Sequence, residues 1–172
     1  MAKHMPFAFD DGGRSQSRHA SKRARVGDCV VRAVAIASGR PYEEIWARIS
    51  EGQTSSRKTK RTRGRRPLSA DNGVFVKRKF FTDYMRELGF EWVPTMNVGE
   101  GCKVHLVEGE LPTGRLVVSV SRHYTAVIDG VVRDTHDPQR RTFWHDDGDD
   151  GARTVNRVSE RCVYGYWRLA RQ

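Results

Sequence analysis

The stretch His123-Tyr124-Thr125-Ala126-Val127-Ile128-Asp129-Gly130-Val131-Val132-Arg133-Asp134 decides how the chain is read. Asp129-Gly130 is a strong hairpin signal, because a two-residue type I′ turn needs positive φ at both central positions. The flanking β-branched runs predict strands over 123–128 and 131–135. With that turn, Ile128 faces Val131 and Thr125 faces Asp134. Strand alternation then puts His123, Thr125 and Asp134 on one face. Asp134 lies diagonally from His123, at a separation long side chains bridge. A carboxylate there orients the imidazole, which can then take a proton from a nucleophile. The plainer reading is a sheet-edge histidine paired with an acid for solubility.

Outward from this hairpin, Leu116–Val120 reads as a preceding strand, and Cys162–Leu169 closes the sheet with Val163, Tyr164, Tyr166 and Trp167. Between them, Asp146, Asp147, Asp149 and Asp150 surround two glycines. They lack the alternate-position ligands of a calcium site, so an acidic, solvated loop is expected at about 143–160. The N-terminal half has helical period instead. A helix should begin at Cys29, with Val30, Val31, Val34 and Ile36 making it apolar on nearly every side, interrupted only by Arg32. Such a helix is buried. Gly39 suits its C-terminal cap. Pro41 opens a second helix with Tyr42, Ile45, Trp46 and Ile49 on one stripe. A third is predicted over Phe75–Leu88, with Phe81, Tyr84, Met85 and Leu88 inward and Gly89 as its stop. Helices first and an antiparallel sheet afterwards give an α+β class.

Cysteine nucleophiles act as thiolates, and a helix N-terminus lowers a thiol pKa through its dipole. Cys29 stands at that point. Taken alone it reads as a small buried hydrophobe; with His123 and Asp134 it completes a catalytic triad. Asp137 is the runner-up for the acid, and His136 is a further neighbour.

The order of Cys at the head of a buried helix, His on a strand and Asp at the end of the next resembles that of papain-like cysteine peptidases. Gly27-Asp28-Cys29 resembles the Asp-Cys-Gly of their bacteriocin-processing members, with Val30 in place of the Gly. The stretch from His123 to Pro138 resembles their His strand and downstream Asp-Pro. From Phe9-Asp10-Asp11-Gly12-Gly13-Arg14 to Arg161–Trp167 the chain is also similar to a family of bacteria and phages, a resemblance that implies no activity. The first resemblance implies a papain-like fold. It also implies a hydrolase or acyl transferase acting on an amide, isopeptide or thioester bond, with a peptide or protein as substrate. One departure concerns the Gln that such enzymes place shortly before the nucleophile. Here Arg23 stands six residues before Cys29, and the nearest upstream Gln is Gln16. Arg23, or a side chain from elsewhere, would have to serve as oxyanion donor.

Composition adds boundaries. The 172 residues suit one domain, read as 27–172, preceded by a basic, loosely held arm at 1–26. No run approaches a membrane span, and residues 1–10 show no secretory signal. Three cysteines, at 29, 102 and 162, form no disulfide framework and suit a reducing, cytoplasmic setting (the host cytoplasm if phage-encoded). Cys102 and His105 have the spacing of half a zinc site, but no second pair recurs, so neither metal nor cofactor is expected. The net charge is +10, and seven of the ten residues Arg57–Arg66 are Lys or Arg. This basic insertion, at about 51–73, reads as a solvated loop. It is also the basis of the alternative function, a basic nucleic-acid or protein binding module on an inactive papain-like fold.

Overall fold

The computed structural model of the chain describes residues 3–19, 27–55, 70–71, 73–139, 142–147 and 153–170. Helix α1 spans Cys29–Ser38, and every residue from Val30 to Ala37 is buried, including Arg32. Gly39 ends it in the left-handed region at φ 72°, its N–H donating to the Ala35 carbonyl. Helix α2, Tyr42–Ser55, buries Tyr42, Ile45 and Ile49. It runs a turn beyond the point where its apolar stripe fades. Gly52 and Gln53 are buried there: a Cβ on Gly52 would sit 2.3 Å from the Phe80 ring, and the Gln53 amide oxygen accepts from Phe75 N–H at 3.0 Å. That same bond, with a turn over 75–78, delays helix α3 to Lys79–Glu87. Phe81, Tyr84 and Met85 form its buried face, as the periodicity indicated.

Among the described residues, eight strands follow the order β1 Phe7–Phe9, β2 Phe90–Pro94, β3 Arg115–Val120, β4 His123–Ile128, β5 Val131–Asp134, β6 Thr142–Asp147, β7 Arg153–Ser159 and β8 Val163–Leu169. Six of them build one sheet in the order β1-β5-β4-β3-β8-β2. The fold is therefore α+β, with helices α1 to α3 packed over one face. Val117, Ala126 and Trp167 of the sheet share a core with α1, α2 and α3. Leu116, Val118, Val127 and Val132 meet Met5 and Leu106 in a second core. The central hairpin has the expected register, Ile128 opposite Val131, and both turn residues have positive φ, Asp129 at 47° and Gly130 at 80°.

Four expectations change. First, residues 3–19 are not a loose arm. Strand β1 pairs in parallel with β5, Phe9 opposite Asp134, and Met5 is buried, so the sheet is mixed rather than antiparallel. Residues 20–26 lie outside the described residues. Second, β2 forms the opposite edge against β8. Its Phe90 and Trp92 alternate with Glu91 and Val93, a strand signal too short to stand out beside the helix before it. Third, the acidic region 143–160 is not simply a loop, because β6 and β7 pair as an antiparallel hairpin. Thr142-Phe143-Trp144 and Thr154-Val155 supply the β-branched and aromatic residues that favour pairing. Fourth, Cys102 and Cys162 form a disulfide, leaving Cys29 as the free thiol. The cytoplasmic expectation rested on unpaired cysteines, and the disulfide withdraws that support. Among the described residues, no helix is long and apolar enough to cross a membrane. The basic block 57–66 lies outside the described residues.

Candidate active site

Cys29, His123 and Asp134 come together from three elements. Cys29 is the first residue of α1 and half-buried. Val30, Val31 and Val34, all buried, lock the helix against the sheet and so fix the direction of the thiol. His123 is the first residue of β4, directly after Arg122, whose φ of 57° lets the chain reverse between β3 and β4. Asp134 is the last residue of β5 and only 2% exposed. His123 Nε2 lies 2.7 Å from Asp134 Oδ2. The Cys29 thiol is near enough to this ring that each shifts the ionisation of the other.

The carboxylate against the His123 ring is thus that of Asp134. Asp137 is exposed and its Oδ1 accepts from Gln139 N–H at 2.9 Å. His136 is a neighbour, its ring centroid 5.0 Å from that of His123. Gln16 ends a 3-10 turn, Arg14–Gln16, and is exposed. Arg23 lies outside the described residues.

Electrostatics favour a charged pair. Burial pushes the Cys29 thiol up, but the hydrogen bond and charge of His123, the Tyr124 N–H and the Arg32 guanidinium together bring it below its ordinary value. Burial pushes His123 down, yet Asp134 and then Cys29 raise it to about 9. For Asp134, burial opposes ionisation, and His123, the Thr135 N–H and Arg32 overcome it and lower the pKa. Each of the two groups thus favours the charged form of the other.

Sequence reasoning missed the layer beneath. Asp28, wholly buried, occupies the N-cap position of α1 but makes no side-chain cap. Its carboxylate turns inward instead, accepting from Arg32 Nη1 and from Tyr42 Oη at 2.9 Å, with Arg14 Nε 3.3 Å away. Arg32 Nη2 reaches Asp134 Oδ1 at 3.3 Å. One buried guanidinium thus joins the acid of the site to the residue before the nucleophile. The signal was present: a cation inside an otherwise apolar helix has to be paired with acids, and Asp28 is one turn back. Strand β1 seals this layer. Asp10 N–H donates to the Asp134 carbonyl at 2.9 Å, and a Cβ on Gly12 would meet the Arg32 carbonyl at 3.2 Å.

The Asp28 side chain, occupied elsewhere, caps none of the first N–H groups of α1, which have no intrahelical partner. Tyr124, the residue after His123 in β4, lines a cavity of about 600 Å³ with Trp92, Met96, Val98, Tyr164 and Trp167 among its walls. The disulfide removes Cys102 from any zinc site with His105. His105 instead groups with Glu110 and Glu160, their ligand atoms within 4.8 Å of one another; its Nδ1 is 3.2 Å from Glu110 Oε2. Comparison with known proteins assigns the chain to no family: no family model matches it, nor does any curated protein or solved structure.

Proposed function

We propose that the protein is a cysteine-nucleophile hydrolase or acyl transferase acting on an amide, isopeptide or thioester bond of a peptide or protein, in a papain-like arrangement. The observation that carries this reading is the 2.7 Å contact between His123 and Asp134, with the same ring acting on the ionisation of a thiol at the head of a buried helix. A structural histidine needs one partner; this one is held between a buried carboxylate and the free thiol.

The reaction follows from the charge states. The Cys29 thiolate attacks the acyl carbon and a C–S bond forms. The carbonyl oxygen takes up negative charge opposite the free N–H groups of α1. The His123 imidazolium gives its proton to the leaving nitrogen or sulfur as the acyl bond breaks, which leaves a thioester on Cys29. Water or an acceptor amine then attacks, His123 takes the proton, and the thiolate departs. Asp134 orients the ring and stabilises its cation, and Arg32 holds Asp134 in place.

Two measurements test this. Cys29 should be alkylated by iodoacetamide at pH 6 far faster than glutathione, because an ordinary thiol is almost wholly protonated there. A proteome-derived peptide pool should show cleavage or transfer products by mass spectrometry that vanish with Cys29→Ala. Alkylation no faster than glutathione, together with no such products, would sink the proposal.

A further inference from the structure

Large apolar side chains are exposed at six described positions: Phe7, Phe9, Trp92, Met96, Val98 and Tyr164. Four of the six, Trp92, Met96, Val98 and Tyr164, line a single cavity that Tyr124, the neighbour of His123, also lines. They come from β2, from the segment after it and from β8, so no single amphipathic stretch explains the concentration. Trp92 is held deliberately. It lies over Gly165, where a Cβ would meet its ring at 2.3 Å. Exposed apolar surface gathered in a concave site marks ligand binding.

The charge on this cavity is one-sided. Lys77 and Arg86 line it and are exposed. Neither makes an ion pair among the described residues, whereas Arg40, Arg48, Lys79 and Lys103 each pair with a nearby acid. No carboxylate is among the described lining residues. Two unpaired cations above an aromatic floor complement a ligand that is both apolar and anionic. Tyr124 fixes where such a ligand sits. It forms part of the cavity wall and directly follows His123 in β4.

We propose that this cavity selects the substrate: it takes a peptide segment carrying a large apolar side chain with an acidic residue directly beside it, the side chain on Trp92 and the carboxylate between Lys77 and Arg86. A volume of about 600 Å³ admits one aromatic side chain and its neighbour, and lies within the usual range of ligand sites. This inference rests on the nucleophile reading, since the cavity matters for specificity only if Cys29 is the reacting group.

The test uses the full chain carrying Cys29→Ala, so that binding is read without turnover. Fluorescently labelled acetyl-Gly-Phe-Glu-Gly and acetyl-Gly-Phe-Lys-Gly are titrated by anisotropy, in wild-type background and with Lys77→Glu plus Arg86→Glu. Both cations are exposed, so the double variant should fold. The acidic peptide should bind about tenfold tighter than the basic one, and the double variant should reverse the order. Equal affinity for the two peptides, no binding of either at millimolar concentration, or discrimination that survives charge reversal would overturn the inference. The two readings fail separately. Discrimination in the binding assay with no cleavage or transfer of either peptide by the Cys29-bearing chain removes the nucleophile reading alone. Turnover of both peptides at equal kcat/KM removes the cavity inference alone.

Discussion

Replacing Asp134 by Asn tests the central electrostatic claim. In the native site burial opposes the charge on His123, and Asp134 and Cys29 together raise the ring from the ordinary 6.5 to about 9. At each step, hydrogen bond and charge, the contribution of Asp134 exceeds that of the thiolate. Asparagine still accepts a hydrogen bond from Nε2 but carries no charge. A fall of about 1.5 pH units in the His123 titration is the reasonable share. At pH 9 the native ring is then about half protonated and the variant about 3%, roughly a fifteenfold loss of imidazolium. NMR titration of the ring Cε1–H reads this directly, with the resonance assigned by its disappearance in His123→Gln. The Cys29 thiolate loses its counter-charge in the same variant, so the acid limb of its alkylation profile should move up. Circular dichroism controls for folding. If the His123 resonance of a folded Asp134→Asn protein still titrates near 9, the carboxylate is not what holds the proton.

Arg32→Met leaves Asp28 and Asp134 buried without their shared cation and should destabilise the fold by about 3–5 kcal/mol; urea unfolding that moves by less than about 1 kcal/mol would contradict the buried network. In Cys29→Ala the thiolate no longer offsets the histidine. The stability His123 contributes is then fully present below about 6.5 and lost as pH rises through the raised folded value. Melting temperature should therefore fall across that window, and a flat profile counts against a histidine kept protonated by Asp134. Cys102→Ser removes a link spanning 60 residues of sequence and should lower stability by about 2–4 kcal/mol, seen as an earlier thermal transition that matches the reduced wild type.

The legible parts of the molecule were those fixed locally. Asp129-Gly130 dictates a turn, the turn dictates register, and register alone sets His123 beside Asp134. The run Val30–Ala37 dictates a buried helix whoever its neighbours are. What escaped was fixed by distant partners. Strand β1 has three residues and no periodicity of its own; it is a strand because β5 offers an open edge. The pairing of Cys102 with Cys162 depends on the His105–Cys162 bridge that brings the two segments together, which spacing cannot reveal. Arg32 was visible as an interruption, but its link to Asp134 spans 102 positions and exists only once the hairpin has folded onto α1.

The disulfide bears on how this protein has to be handled. Its Cys162 sulfur lies 4.0 Å from the sulfur of Met96, so the covalent strap sits directly behind the floor of the cavity. A strong reductant, the usual protection for a reactive thiol, would shield Cys29 from oxidation and at the same moment release the loop that carries Met96 and Val98. Strong oxidants would keep the strap and oxidise the Cys29 thiol. The two sulfur chemistries ask for opposite media. Purification under a mild monothiol, or with Cys29 masked by a removable mixed disulfide, keeps both. A preparation from a vigorously reducing buffer that shows no activity reports on the strap as much as on the proposed site.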